Sequence, residues 1–315
     1  MVFDADDFPR PAEPYLVVAG PTAVGKSGVA TTVAERLDGE IVIADSRQVY
    51  RGLEIGTAKP TPEQRRRVRH HLVDVVDLGE TYTAADYAID ARRAIGDVQS
   101  RGRLAVVCGG TGLYLRALAH GLDPIGPGVS EADRTEAAEK IAAIPPDRRH
   151  DRLAEVDPAT AARLHPHDSQ RIERALEVWW TTGRALSDHW ENGEAEPLPH
   201  VAIRLSRPRA ELHRRIEERL DRMLHAGLEE EARGLWEAGW TPDEPGLDTI
   251  GYQEWWPYFE GEIDRAEARR RILVASRRYA KRQETWFRRQ DDYRKVDARA
   301  GADGVLAEWR GARGA

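Results

Sequence analysis

The segment GPTAVGKS, Gly20 to Ser27, follows the apolar run YLVVA and leads into the amphipathic stretch GVATTVAERL. Its spacing is G-x-x-x-x-G-K-[ST], in the strand–loop–helix setting that a phosphate-binding loop requires. Gly20 and Gly25 permit a tight wrap, so that the available backbone N–H groups of a loop through Pro21, Thr22, Ala23 and Val24 converge on phosphate oxygens. Lys26 adds a positive charge, and Ser27 adds a hydroxyl of the kind that ligates Mg²⁺. The loop therefore binds a chain of phosphates.

The usual companions of such a loop are incomplete. In nucleoside triphosphatases and small-molecule kinases an acidic residue often ends the third strand, but here VVCGG ends in glycines. The second strand commonly delivers an Asp-x-Asp pair, whereas this chain has Asp45-Ser46-Arg47. A loop without that metal site suits a diphosphate that leaves better than a γ-phosphate that is transferred.

Four segments, YLVVAG, EIVIAD, RLAVVCGG and VAIRLS, have the continuous apolar character of buried parallel strands. Helical stretches separate the first three, which predicts an α/β fold: a P-loop NTPase-like, doubly wound parallel sheet. No strand pattern intervenes between the third and fourth. That interval holds EADRTEAAEKIAAI and HDSQRIERALEVWWTTG, both helical in period, between the Pro-rich edges GLDPIGPG and GEAEPLPH. It predicts an all-helical insertion over 126–199 within a core made of 14–125 and 200–298. Residues 1–13 and 299–315 are expected to be flexible tails. After the fourth strand, Leu212, Ile216, Leu220, Met223, Leu224 and Leu228 recur at helical spacing and turn one face to the core. A basic helix, DRAEARRRILVASRRYAKRQETWFRRQ, is expected to close the fold.

Composition narrows the classes. The chain has 315 residues, a net charge of −7 and one cysteine, Cys108, so no internal disulfide forms, which suits a cytoplasmic protein. No apolar run reaches the ~18 residues that span a bilayer, and the acidic, Pro-rich start is unlike a targeting peptide. Acidity overall hides a local surplus. Arg265 to Lys295 carries twelve Arg or Lys against four Asp or Glu. Such a block is either a solvated helix face or a surface for phosphates. Cys108 sits in an apolar run and reads as core. His70 and His71 are adjacent and point apart, so they do not chelate one ion.

Eight stretches, in order, resemble the bacterial tRNA dimethylallyltransferases (tRNA isopentenyltransferases). They are DSRQVYRGLEIGTAKP, HHLVDV, YTAADYA, GGTGLYLRAL, DPATAARLHPHDSQRIERALEV, RIEERLDRMLHAGLEEE, IGYQE and AKRQETWFR, and with the loop they cover Gly20 to Arg288. His167 departs from the family's usual Asn in HPxD, and the zinc-finger extension of eukaryotic members is missing. The resemblance implies transfer of a dimethylallyl group from dimethylallyl diphosphate to N6 of the adenosine immediately 3′ of the anticodon, in tRNAs that read U-starting codons. It implies a loop from Gly20 to Ser27 that holds the donor's diphosphate with Mg²⁺ at Ser27.

An amino group on adenine is a poor nucleophile and must lose a proton as the C–N bond forms. Asp45, at the C-terminal end of the second strand, stands where ligands bind in such sheets and is expected to serve as general base. A helix-capping or Mg²⁺-site carboxylate is the alternative for it. Lys26 and the loop amides would stabilise the departing diphosphate. By resemblance Thr111 reaches its bridging oxygen and Arg219 its charge. The resemblance also assigns tRNA contacts to Asp45, Ser46, Arg47 and Gln48, to Arg134, to Gln170, Arg171, Ile172, Glu173 and Arg174, and to Gly251 and Tyr252. Arg278, Lys281, Arg282 and Arg288 would grip phosphates of the anticodon stem-loop. Trp286, Phe287, Trp255 and Trp256 are expected to pack the core. A monomer is the default state, and prenyl transfer to free adenine nucleotides, a small-molecule kinase and a nucleotide-sensing RNA-binding switch are the rival activities.

Overall fold

The computed structural model describes residues 13–121, 129–191 and 198–314. Six parallel strands form one sheet in the order β3-β2-β4-β1-β5-β6. They are β1 (Tyr15–Ala19), β2 (Gly39–Ala44), β3 (His70–His71), β4 (Leu104–Gly109), β5 (His200–Ser206) and β6 (Arg294–Asp297). Side chains along a strand alternate between faces, and here both faces are buried. Leu16, Val18, Ile41, Ile43, Val106, Cys108, Ile203 and Leu205 enter one core. Tyr15, Val17, Ala19, Val42, Ala44, Ala105, Val107 and Ala202 enter the other. Cys108 is buried and its thiol is pushed up to about 11 by desolvation, so it is a core residue and no nucleophile.

Helices cover both faces. Those at Lys26–Arg36, Arg209–His225 and Gly301–Arg313 contribute Val33, Leu212, Ile216, Leu220 and Val305 to the first core. Ala84–Ser100 and Gly112–His120 contribute Tyr87, Ile95, Tyr114 and Leu118 to the second. The basic helix Arg265–Arg288 serves both, with Ile272 and Ala280 in one core and Phe287 in the other. Trp255, Trp256 and Phe287 are buried, as expected of core aromatics. Leu228 lies beyond a break: Gly227 adopts φ 101° and starts a separate helix, Leu228–Glu237.

Three features depart from expectation. His70–His71 pairs in parallel with Ile41 and Val42 at one sheet edge. Arg294–Asp297 pairs with Ile203 to Ser206 at the other. Residues 301–313 are no tail but a helix whose Ala302, Val305, Leu306 and Trp309 are buried, so the basic helix does not end the fold.

The chain divides into two compact units, one of which spans His120–Pro197. Among its described residues there are only helices, with Leu153, Ile172, Ala175, Leu176 and Val178 at the centre. Asp157 is fully buried there and accepts N–H bonds from Thr160 and Ser187, tying two helix starts together. Most of the Pro-rich edges quoted above, and residues 1–12, lie outside the described residues.

Gly109 shows how closely the sheet brings its functional loops together. A Cβ on Gly109 would run into the Ala44 carbonyl of the neighbouring strand, which has no room to move. Gly109→Ala is therefore expected to destabilise the fold by about 1–3 kcal/mol. Gly96→Ala, in open space within a helix, should instead stabilise it by about 0.5–1 kcal/mol. Denaturant midpoints of the two variants check this, and equal shifts would contradict the close approach.

Candidate active site

Three loops meet at the C-terminal ends of β1, β2 and β4, the side on which parallel sheets bind ligands. The first is Gly20 to Gly25. Gly25 takes φ 106° at the start of the helix Lys26–Arg36, and Ala23 is held at φ 62°, a costly conformation for a residue with a Cβ. No side chain caps this helix, so its first-turn N–H groups face the cleft unpaired by any cap. Helix polarity and those amides together favour an anion.

That cleft, of about 130 Å³, is lined by Ala23, Gly25, Lys26, Ser27, Arg215, Arg219 and Arg222. Four of these side chains are cationic. Arg215 and Arg222 flank Arg219 at i−4 and i+3, so all three project from one face of the helix Arg209–His225. Arg219 donates to Thr22 Oγ1 at 3.0 Å, and Arg215 Nε donates to the Ala23 carbonyl at 2.8 Å. Each guanidinium thus holds the loop while adding charge to it. Burial pushes the Lys26 ammonium below its ordinary pKa and Arg219 adds to this, while Cys108 and Asp45 pull the other way. Burial likewise pulls Arg219 down, against the attraction of Asp45. A bound anion would relieve this strain of gathered charge.

Asp45 follows β2. Its Oδ1 accepts the Arg47 N–H at 3.0 Å, which fixes the carboxylate and leaves Oδ2 with no hydrogen-bond partner among the described residues. Thr111 follows β4, and its Oγ1 accepts the Ser46 N–H at 3.0 Å. Tyr279, from the basic helix, stands near Thr111; its hydroxyl is pushed up to about 12 by burial and by the nearby Asp45 charge. Lys26, Asp45, Thr111 and Arg219 are thus brought to one place.

The residues expected at the tRNA divide more unevenly. Arg278, Lys281, Arg282 and Arg288 are all exposed on one face of the basic helix. Their neighbours nearer its start are neutralised: Arg269 pairs with Asp221, Arg277 with Glu217, and Arg270 and Arg271 with Glu267. The four exposed cations have no carboxylate partner among the described residues. Gln170, Arg171 and Arg174 are exposed on the helix Ser169–Thr182, and Arg134 on Glu131–Ala142, in the helical unit. Glu173 pairs with Arg149.

Three assignments need correcting. Ile172 is buried in the helical core and presents no side chain to a ligand. Gln48 is buried and donates to the Thr57 and Ala58 carbonyls, bracing a turn in which Ala58 has φ 51°. The Tyr252 side chain is fully buried; it bonds Glu231 and accepts the Gly56 N–H, while Gly251 supplies the turn at φ 99°. Arg47 is engaged by the Pro245 carbonyl and Asp248. Ile172, Gln48 and Tyr252 are buried and hold their segments in shape, whereas Arg47 stays partly exposed beside Asp45. Sequence reasoning missed Arg215 and Arg222, although their helical spacing from Arg219 was a usable signal.

Comparison with known proteins agrees with this geometry. The profile of the IPP transferase family matches residues 48–290. The tRNA dimethylallyltransferase of Halorhodospira halophila is 50% identical over 283 residues, 89% of this chain and 91% of that one. The enzyme of the same name from Geobacter metallireducens is 47% identical, over 93% and 95%. Among solved structures, the tRNA isopentenylpyrophosphate transferase of Bacillus halodurans superposes with a TM-score of 0.68 at 35% identity, covering 96% of this chain and 99% of that one. A eukaryotic dimethylallyltransferase acting on tRNA superposes with a TM-score of 0.80 at 27% identity, covering 95% and 76%. On sequence and fold together, the chain belongs to the IPP transferase family.

Proposed function

We propose that this protein transfers the dimethylallyl group of dimethylallyl diphosphate to N6 of the adenosine immediately 3′ of the anticodon, in tRNAs that read U-starting codons, and releases diphosphate. The observation that carries the reading is the four-cation cleft at the phosphate loop after β1, with an oriented carboxylate at the end of β2, on the far side of β4. The curated relatives named for this activity support it.

The diphosphate lies in the loop against Lys26, Arg215, Arg219 and Arg222. N6 attacks the first carbon of the prenyl chain, the carbon–oxygen bond to diphosphate breaks, and the N6 proton passes to Asp45. Negative charge grows on the leaving group, where these cations and the loop amides already point. Thr111 stands beside the same place. Ser27 contributes a hard oxygen at the cleft, a donor that fits Mg²⁺ together with substrate phosphates. The ion, when bound, would neutralise part of the diphosphate charge.

The acceptor adenine is stacked in a free anticodon loop, so it must be flipped out to reach Asp45. Arg278, Lys281, Arg282 and Arg288 hold the RNA by its phosphates, and Arg134, Gln170, Arg171 and Arg174 touch it from the helical unit. Arg171 and Arg174 are paired with Asp168 and Glu177, so it is the four cations of the basic helix, without a carboxylate partner among the described residues, that explain nucleic-acid binding by a chain of net charge −7. We further propose that the protein works as a cytoplasmic monomer; among the described residues no helix is long and apolar enough to cross a membrane.

Lys26→Ala should lower prenyl transfer by about 10²–10³-fold, with tRNA affinity near normal; parallel loss of tRNA binding would show that the two grips are not separate. Asp45→Asn should keep fold and binding while slowing the single-turnover step by about 10²–10⁴-fold, and an unchanged rate would remove Asp45 as base. Log affinity for tRNA should fall linearly with log salt concentration. Replacing Arg278, Lys281 and Arg282 together by Ala should flatten that slope by about 2–3. An unaltered slope would place the RNA elsewhere.

A further inference from the structure

Gln283 is buried toward the C-terminal end of the basic helix, between the exposed Arg282 and the core residue Phe287. A buried amide must satisfy both its donor and its acceptor. Its Oε1 accepts the Thr22 N–H at 2.8 Å, and its Nε2 donates to the Gly110 carbonyl at 2.9 Å. One side chain therefore spans the phosphate loop after β1 and the turn after β4. The fit is close: a Cβ on Gly110 would collide with Gln283 Nε2 and lie 3.0 Å from the Gly20 carbonyl. On the same helical face, one turn to either side, Tyr279 stands near Thr111 and Trp286 lies against Gly112.

Thr22 is held a second time, through its hydroxyl, by Arg219. It precedes Ala23, whose φ of 62° is unfavourable for a residue with a Cβ. A strained loop keeps its conformation only when its surroundings over-determine it. We propose that Gln283 is a positioning residue for diphosphate binding: by pinning the Thr22 amide and the Gly110 carbonyl, it holds the phosphate loop in its anion-binding conformation. The inference rests on the reading that the loop holds a diphosphate. Gln283 acts on the anion through the loop.

The test measures binding of inorganic diphosphate by titration calorimetry to the wild-type chain, Gln283→Met and Gln283→Glu, with thermal melts to confirm that each is folded. Met keeps the bulk and removes both hydrogen bonds, so affinity should fall about tenfold, the size of losing one or two ordinary hydrogen bonds. Affinity for an anticodon stem-loop should stay within about twofold in the same variant, since no base or phosphate contact is removed. Glu keeps the acceptor for Thr22 but regains a donor for Gly110 only when protonated. Its affinity, taken relative to wild type at each pH, should therefore recover on acidification, and that of the Met variant should not. Variants that bind diphosphate as tightly as wild type would overturn the positioning role alone. So would equal losses of diphosphate and RNA binding, which a merely structural role would give. A wild-type chain that fails to bind diphosphate would overturn both this role and the proposed function.

Discussion

The structure depends on positive charge gathered where it is costly to keep. An ammonium surrounded by protein, with two guanidiniums beside it and a third at the rim, repels itself and is poorly hydrated. The fold tolerates this partly because arginines at and beside the cleft are also bonded to the loop. Arg219 holds the Thr22 hydroxyl, Arg215 holds the Ala23 carbonyl, and Arg207 holds the Val24 carbonyl at 2.8 Å. Asp45 adds an opposing charge from the next strand. The same interactions that shape the loop thus prepare it for an anion, and no rearrangement is needed to assemble the cleft.

The basic helix connects this cleft to the outside. Its early arginines are spent on ion pairs with Glu217, Asp221 and Glu267, which fix the helix in place. Its later cations are left to solvent, while Tyr279, Gln283 and Trp286 face the loops inside. One element therefore presents charge on one side and braces the loops on the other. Since its residues serve both cores, the helix crosses the C-terminal edge of the sheet, above the strand ends that carry Thr22, Asp45 and Thr111.

Much of this was legible before any coordinates. The four apolar strands announce themselves because both their faces are buried, and the loop because glycine spacing and Lys-Ser leave few other readings. Strand β3 was not legible, since two histidines at a sheet edge show no periodicity. Strand β6 was missed because Arg294, Lys295 and Asp297 face solvent and only Val296 is buried. The terminal helix hid in a run rich in Gly, Ala and Arg that resembles a tail. Within the site, whole motifs were carried over as contacts, and that overreached at Ile172, Gln48 and Tyr252. Those side chains hold the motifs in shape from beneath. Gln283 lay in a quoted motif, AKRQETWFR, but only the fold reveals that it spans two loops separated widely in sequence.

The account turns on a diphosphate departing from the loop as an adenosine is alkylated. The most direct measurement supplies labelled dimethylallyl diphosphate and Mg²⁺ with unmodified tRNA in one reaction, AMP in a second and ATP alone in a third. The account predicts label on tRNA, at N6 of the adenosine 3′ of the anticodon, with release of one diphosphate per prenyl group. Label on AMP alone, or ATP consumption with no prenyl transfer, would contradict it.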